Sequence, residues 1–254
     1  MSSLCIIFAK EPVPGQVKTR LTPPFSPGEA CRLYGAFLAD VLEETAQIPG
    51  MECALAYASA GAEKFFRDLA PGVRRFPQEG RDLGERLVRA FAWGSGAGFQ
   101  NVLVRGSDTP DLPGGILLQA RRRLASGQAQ VVLGPSPDGG YYLVGLRDPQ
   151  PQLFAEITWS SSAVLAETLS RARGLSLNVH LLRCWQDIDN YAGLMAFLKK
   201  PHPSPRAGWR SDRIARELLA GIALKEGRLH LPKEKDERLL NGRCGAAAII
   251  KKTD

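Results

Sequence analysis

A chain of 254 residues that is 44% hydrophobic holds enough apolar material for one sizeable core, so one main domain, with at most an appendage, is expected. The formal charge of +7 does not make its body a polyanion-binding surface: residues 201–254 carry 12 basic against 7 acidic side chains, whereas residues 1–200 carry 21 against 19. Five cysteines (Cys5, Cys31, Cys53, Cys184 and Cys244) lie far apart with no Cys-x-x-Cys, which argues against a disulfide framework and a zinc site and for a reducing, cytoplasmic home.

The first strand-like run, residues 4–9, has no basic residue before it and is too short for a signal peptide. No stretch approaches the roughly 18 apolar residues that span a bilayer, so a soluble, non-exported protein without a membrane span is expected. Further β-rich runs at 52–58, 101–105, 130–134, 141–146 and 177–182 alternate with helical patterns. That alternation predicts an α/β fold: a three-layer α/β/α arrangement around a mainly parallel, Rossmann-like sheet. The helix after the first strand starts clearly. Ser26 suits the N-cap, Pro27 the first turn and Glu29 the capping box, with Leu33, Phe37, Val41 and Leu42 on one face. Its role reads as purely structural. Other helices are expected near 82–93, 114–125, 161–173 and 191–199. At Pro201 the composition shifts, and Pro201, Pro203 and Pro205 suit an extended linker. A domain over 1–200 is therefore expected, followed by a basic extension over 201–254. Within the extension, residues 211–226 have helical spacing and can fold back onto the domain, while the final Gly-Arg-Cys-Gly run is loosely specified.

In an open parallel sheet, ligands bind outside the carboxyl ends of the strands, so the loops after the strands come first. The first, KEPVPGQVKTRL, combines the cations Lys10, Lys18 and Arg20 with two prolines and Gly15. Cations neutralise phosphate, and glycine lets backbone N–H groups approach an anion. The spacing is not that of a Walker A loop, and a merely solvated basic loop is the alternative. The second, GSDTPDLP, sets Asp108 and Asp111 three residues apart behind Ser107. Hard oxygen ligands of this kind suit Mg²⁺ or Mn²⁺ when substrate phosphates complete the shell. Asp111 serves equally as a helix cap, which leaves Asp108 the better ligand. The third, GPSPDGGYYLVG, bares its backbone at Gly139 and Gly140 and points Tyr141 and Tyr142 to opposite faces, one for a pocket and one for the core. Asp138 with the glycine pair also reads as an ordinary hairpin turn. The fourth, WQDIDNY, places Asp187 and Asp189 on one side of an extended segment, where they complete a metal shell or, for Asp189, cap the next helix. Trp159 and Ser160 in ITWSSS are secondary candidates for contacting an acceptor. No histidine lies near these loops, which disfavours Ser-His or Cys-His hydrolysis.

Taken together, FAKEPVPGQVKTRL, EGRDLGERLVRAF, GSDTPDLP, GPSPDGGYYLVGL, ITWSSSAVLAETL and DIDNYAGL resemble a bacterial family of uncharacterised glycosyltransferase-A-fold proteins, often labelled arsenosugar-biosynthesis glycosyltransferases. The resemblance spans about residues 4–197 and implies the nucleotide-diphospho-sugar transferase fold, with a divalent metal held at Asp108. More distantly, the opening basic loop and the late Asp-x-Asp are similar to those of molybdenum-cofactor guanylyltransferase, 2-phospholactate guanylyltransferase and the cytidylyltransferase of isoprenoid synthesis. Those relatives imply a second metal ligand at Asp187 or Asp189. Pro-Val-Pro-Gly replaces their glycine-rich opening loop, which leaves the donor open.

Three functions follow as expectations. The first is glycosyl transfer from a nucleotide-sugar to a small acceptor, with Lys18, Arg20 and Asp108 as the catalytic group, Lys10, Gly15 and Ser107 helping to hold the nucleotide, and residues 138–141 with Trp159 and Ser160 shaping the acceptor side. The second is nucleotidyl transfer, in which a phosphorylated substrate attacks a nucleoside triphosphate and pyrophosphate leaves. The third is a nucleotide-binding module without turnover. Nucleic acid is not an expected partner, and self-association into a homo-oligomer is left open.

Overall fold

Short apolar runs and amphipathic stretches alternate to build one seven-stranded sheet in the computed structural model, which describes residues 2–59, 61–200 and 209–225. The strands are β1 (Ser3–Ala9), β2 (Glu52–Tyr57), β3 (Arg74–Pro77), β4 (Asn101–Gly106), β5 (Val131–Pro135), β6 (Tyr141–Leu146) and β7 (Val179–Leu181). Their order is β3-β2-β1-β4-β6-β5-β7, with β6 antiparallel to both neighbours and every other pairing parallel. This is the expected mainly parallel sheet. β1 pairs on both edges and carries a continuous apolar run because helices cover both of its faces.

The helices are α1 (Pro27–Ala46), α2 (Glu63–Leu69), α3 (Leu83–Gly96), α4 (Gly114–Ala125), α5 (Val164–Gly174), α6 (Tyr191–Lys199) and α7 (Trp209–Lys225). α3 and α5 bury the sheet face of Leu4, Ile6, Val104 and Val144. On the opposite face α4 packs over Leu103, Val132 and Leu143, while α1 and α2 pack over Ile7 and Leu55. α6 and α7 form an outer layer on α1, where Leu33 and Phe37 meet Leu194, Phe197, Ile214 and Leu218. Residues 201–208, read as a linker, and the terminal Gly-Arg-Cys-Gly run lie outside the described residues. Among the described residues no helix is long and apolar enough to cross a membrane.

Two elements were not legible in the sequence. α2 has only seven residues, and β3, with the sequence RRFP, is half-exposed and lacks the alternation that marks a strand. Elsewhere local chemistry sets the boundaries. Ser26 and Glu29 form the expected reciprocal capping box at the start of α1. Two other helix starts are capped in trans by carboxylates of α1. Glu44 Oε1 accepts the first amide of α4, Gly114 N, at 2.8 Å. Buried Asp40 accepts the backbone amide and the hydroxyl of Ser211 in α7, at 2.9 and 2.6 Å. Each satisfies a donor that the helix cannot pair internally. Arg210 completes this junction, lying 3.2 Å from Asp40 Oδ1 and pairing also with Glu43. Burial pushes the Asp40 carboxyl above its usual range, against the pull of Ser211 and Arg210.

Asp40→Ala leaves the Ser211 amide and hydroxyl without their acceptor and takes one of two carboxylates from partly buried Arg210, so it is expected to cost about 3 kcal/mol. Differential scanning calorimetry should record a fall in Tm of roughly 6–12 °C for a chain of this size.

Candidate active site

The loop after β1 is anchored at both ends by burial of Val17 on one side and Leu21 and Phe25 on the other, which leaves Lys18 little freedom between them. Lys18 adopts a left-handed backbone conformation, φ 49°, at the entry to a single 3-10 turn, Thr19–Leu21. That conformation is uncommon for a residue with a side chain and aims this one across the carboxyl ends of β1 and β4. Its ammonium then meets three oxygens: Asp108 Oδ1 at 2.7 Å, Ile188 O at 2.8 Å and Asp189 Oδ1 at 2.9 Å. Three donors thus find three acceptors. The Lys18 side chain is only 5% exposed and sits 5.6 Å from the centre of the Phe37 ring. Burial alone would lower its pKa, but Asp108 and Asp189 outweigh burial and raise it.

The two aspartate loops are also tied to each other, because Ile188 N donates to Asp108 O at 2.9 Å. From below, the fully buried guanidinium of Arg105 clamps the second loop, donating to Thr109 O at 2.8 Å and to Thr45 Oγ1 at 3.2 Å. Desolvation lowers the Arg105 pKa. Asp187 lies beside the same cluster. Burial, then the charges of Asp108 and Asp189, push its carboxyl up to about 7.

Lys18, Arg105, Asp108 and Asp189 border a cavity of about 530 Å³, whereas Asp187 does not line it. Of the residues singled out from sequence, Lys10, Lys18, Arg20, Ser107, Asp108, Tyr141, Tyr142 and Asp189 line it. Lys10 and Arg20 make no ion pair among the described residues. Asn190, not Asp189, caps α6, accepting Gly193 N at 2.9 Å, which leaves Asp189 to Lys18.

The other candidates lie elsewhere. Gly15 occupies an open turn at φ +79° with nothing near it. Asp111 is buried and accepts the Trp185 indole N–H at 3.0 Å, while the N-cap of α4 is Pro113. The hairpin turn at Asp138, Gly139 and Gly140 does not line the cavity. Asp138 Oδ1 accepts Gly140 N at 3.0 Å, and a Cβ on Gly139 would lie 2.1 Å from Ser162 O, so the turn rests directly on the segment holding Trp159 and Ser160. Trp159 is packed into the core with its indole against Gly84 of α3. Both tyrosines border the cavity, with their rings on opposite faces of the sheet: Tyr141 packs on the face covered by α3 and α5, and Tyr142 donates to Arg183 O at 2.8 Å on the other.

Three cavity residues escaped the sequence reading. Tyr34 of α1 reaches the cavity, its hydroxyl accepting Lys10 N at 3.0 Å and lying 2.9 Å from Ser107 Oγ. Gln78 follows β3 and turns its amide nitrogen onto Ala56 O at 2.7 Å. Arg86 of α3 is held through Gly80 O at 3.2 Å. The flanking EGRDLGER segment was a signal for the last two, but only as part of a resemblance.

Sheet order and a crevice at the carboxyl ends of β1 and β4 define a domain of the nucleotide-diphospho-sugar transferase type. Residues 41–161 match the family model "Uncharacterized protein conserved in bacteria" (DUF2064). A candidate nucleotide-diphospho-sugar transferase from Desulfovibrio desulfuricans G20 is 32% identical, with a TM-score of 0.80 over 88% of this chain and 98% of that one. The chain belongs to this bacterial family of nucleotide-diphospho-sugar-transferase-like proteins. Likeness of fold alone extends to CMP:2-keto-3-deoxy-manno-octonic acid synthetase complexed with CTP, 13% identical with a TM-score of 0.51 over 78% of this chain and 97% of that one. It extends equally to 4-diphosphocytidyl-2C-methyl-D-erythritol synthase, 11% identical with the same TM-score and coverage. Comparison with curated proteins finds no match.

The folded chain holds the Asp187 proton up to about pH 7, whereas an unfolded chain releases it near 3.8. This group therefore favours folding fully below the lower value, and its contribution is lost as pH rises through the upper one. Denaturant melts of Asp187→Asn should show a flatter fall of stability between those pH values than the unaltered protein.

Proposed function

We propose that this chain is a metal-dependent transferase for a nucleotide-activated donor, and that it moves a glycosyl group from a nucleotide-sugar to a small acceptor. The observation that carries the proposal is the Lys18 ammonium held between Asp108 and Asp189, three groups from three separate loops that share one cavity. The 32% identity to a candidate nucleotide-diphospho-sugar transferase supports the choice of donor.

Lys10 and Arg20, which line the cavity without ion-pair partners among the described residues, are suited to a diphosphate and to the charge that grows on the leaving group. Lys18, its three donors already taken, holds the two aspartates in place. Tyr141, which also lines the cavity, offers an aromatic surface of the kind that sugars pack against. Gln78 and Arg86 leave hydrogen-bonding capacity at the β3 and α3 side.

Among the described residues no three acidic, cysteine or histidine side chains form a ready-made metal cage. Two carboxylates do converge on one cationic group, and their hard oxygens fit Mg²⁺ or Mn²⁺, which commonly take one or two carboxylates and complete their shell with substrate phosphates. Asp108 and Asp189 would hold the ion, with Asp187 beside them. A bound divalent cation would stabilise the departing diphosphate as a Lewis acid.

A second reading, nucleotidyl transfer with release of pyrophosphate, is favoured by one observation: Arg20 and Lys10 stand in the cavity without ion-pair partners among the described residues, enough positive charge for a third phosphate.

Purified protein incubated with Mn²⁺ and panels of nucleotide-sugars and triphosphates separates these readings. Nucleoside diphosphate release is expected, pyrophosphate release would favour the second reading, and binding without turnover would leave only a nucleotide-binding module. Asp108→Asn is expected to lower kcat/KM by about 100-fold, the scale of losing a charge-stabilising group. Full metal-dependent activity in that variant would overturn the role given to Asp108.

A further inference from the structure

Helix α1 reads as structural from its sequence, yet one of its side chains enters the crevice. Tyr34 is 4% exposed and its hydroxyl stands between two loops that are remote in sequence. That oxygen accepts the Lys10 backbone N–H at 3.0 Å from the loop after β1, and lies 2.9 Å from Ser107 Oγ on the loop after β4.

A phenol has one proton to give and two lone pairs to offer. The Lys10 amide can only donate, so it occupies a lone pair. The phenol stays protonated, since burial first and the Asp108 charge next raise its pKa. Either hydroxyl can be the donor in the bond between them, so the pair shares one proton and keeps a second for the cavity. Where Tyr34 gives its proton to Ser107 Oγ, Ser107 must direct its own proton elsewhere. It is 4% exposed, it lines the cavity beside Asp108, and it makes no other hydrogen bond among the described residues.

We infer that Tyr34 is a positioning residue that fixes the Ser107 hydroxyl as a hydrogen-bond donor for an anionic oxygen of the ligand bound in this cavity. The chemical class of that oxygen is phosphoryl, because the cations Lys10 and Arg20 stand in the same cavity. Tyr34 also holds the loop bearing Lys10 at a set distance from the loop bearing Asp108. The inference rests on the cavity being the nucleotide site proposed above.

Isothermal titration of the full chain with inorganic pyrophosphate in the presence of Mn²⁺ tests it. Tyr34→Phe keeps the ring and removes the hydroxyl, while Ser107→Ala removes the donor itself. Each is expected to weaken binding on the order of fivefold, the value of one hydrogen bond. Tyr34→Phe also leaves the Lys10 amide without its acceptor, so the double variant should be no weaker than the weaker of the two single ones, the bond they share being lost only once. Fully additive losses, or unchanged affinity in either single variant, would overturn the inference while leaving the nucleotide site standing. Should Tyr34→Phe fail to fold, Ser107→Ala decides alone, with unchanged affinity overturning the inference. Absence of pyrophosphate binding in the unaltered chain would overturn the nucleotide site itself, and the donor role with it.

Discussion

Each of the three N–H donors of Lys18 goes to an oxygen of a different group, Asp108, Ile188 or Asp189, in a setting from which water is almost excluded. A buried ammonium would be costly there if any of those oxygens were missing, so the three loops are held to one arrangement by the need to satisfy it. The bond from Ile188 N to Asp108 O repeats the tie at the level of backbone, and Arg105 fastens the loop of Asp108 to α1 through Thr109 and Thr45.

The sheet supplies what the loops alone could not. β1 and β4 lie side by side and in parallel, so the loop carrying Lys18 and the loop carrying Asp108 emerge at the same edge. β6 runs antiparallel between β4 and β5, which brings Tyr141 to that edge at the start of its strand rather than the end. Parallel strands present their loops to a ligand, and a reversed neighbour presents its first residue.

How much of this was legible in the sequence depended on whether the signal was local. The strands around residues 4–9, 101–105 and 141–146 announce themselves through apolar runs, and the capping box at Ser26 through its spacing. Loop chemistry was legible too, since Lys18, Asp108 and Asp189 each follow a strand. What sequence could not supply was direction. Asp108 and Asp111 look alike three residues apart, yet one faces Lys18 and the other turns to the Trp185 indole. Tyr34 sits next to Leu33 in an amphipathic pattern and reads as core until Ser107 and Lys10 are seen beside it. Gln78 follows a four-residue strand too short and too exposed to be recognised.

The trans caps on α1 carry a thermodynamic corollary. When the amide and hydroxyl of Ser211 leave Asp40, a buried carboxylate loses its partners, so α7 cannot fray from its first turn inward as a free terminal helix would. Its opening is coupled to exposure of the apolar surface that α1 shares with Ile214 and Leu218. The Ser211 amide proton should accordingly exchange with solvent on the slow timescale of α1, as a member of one cooperative unit.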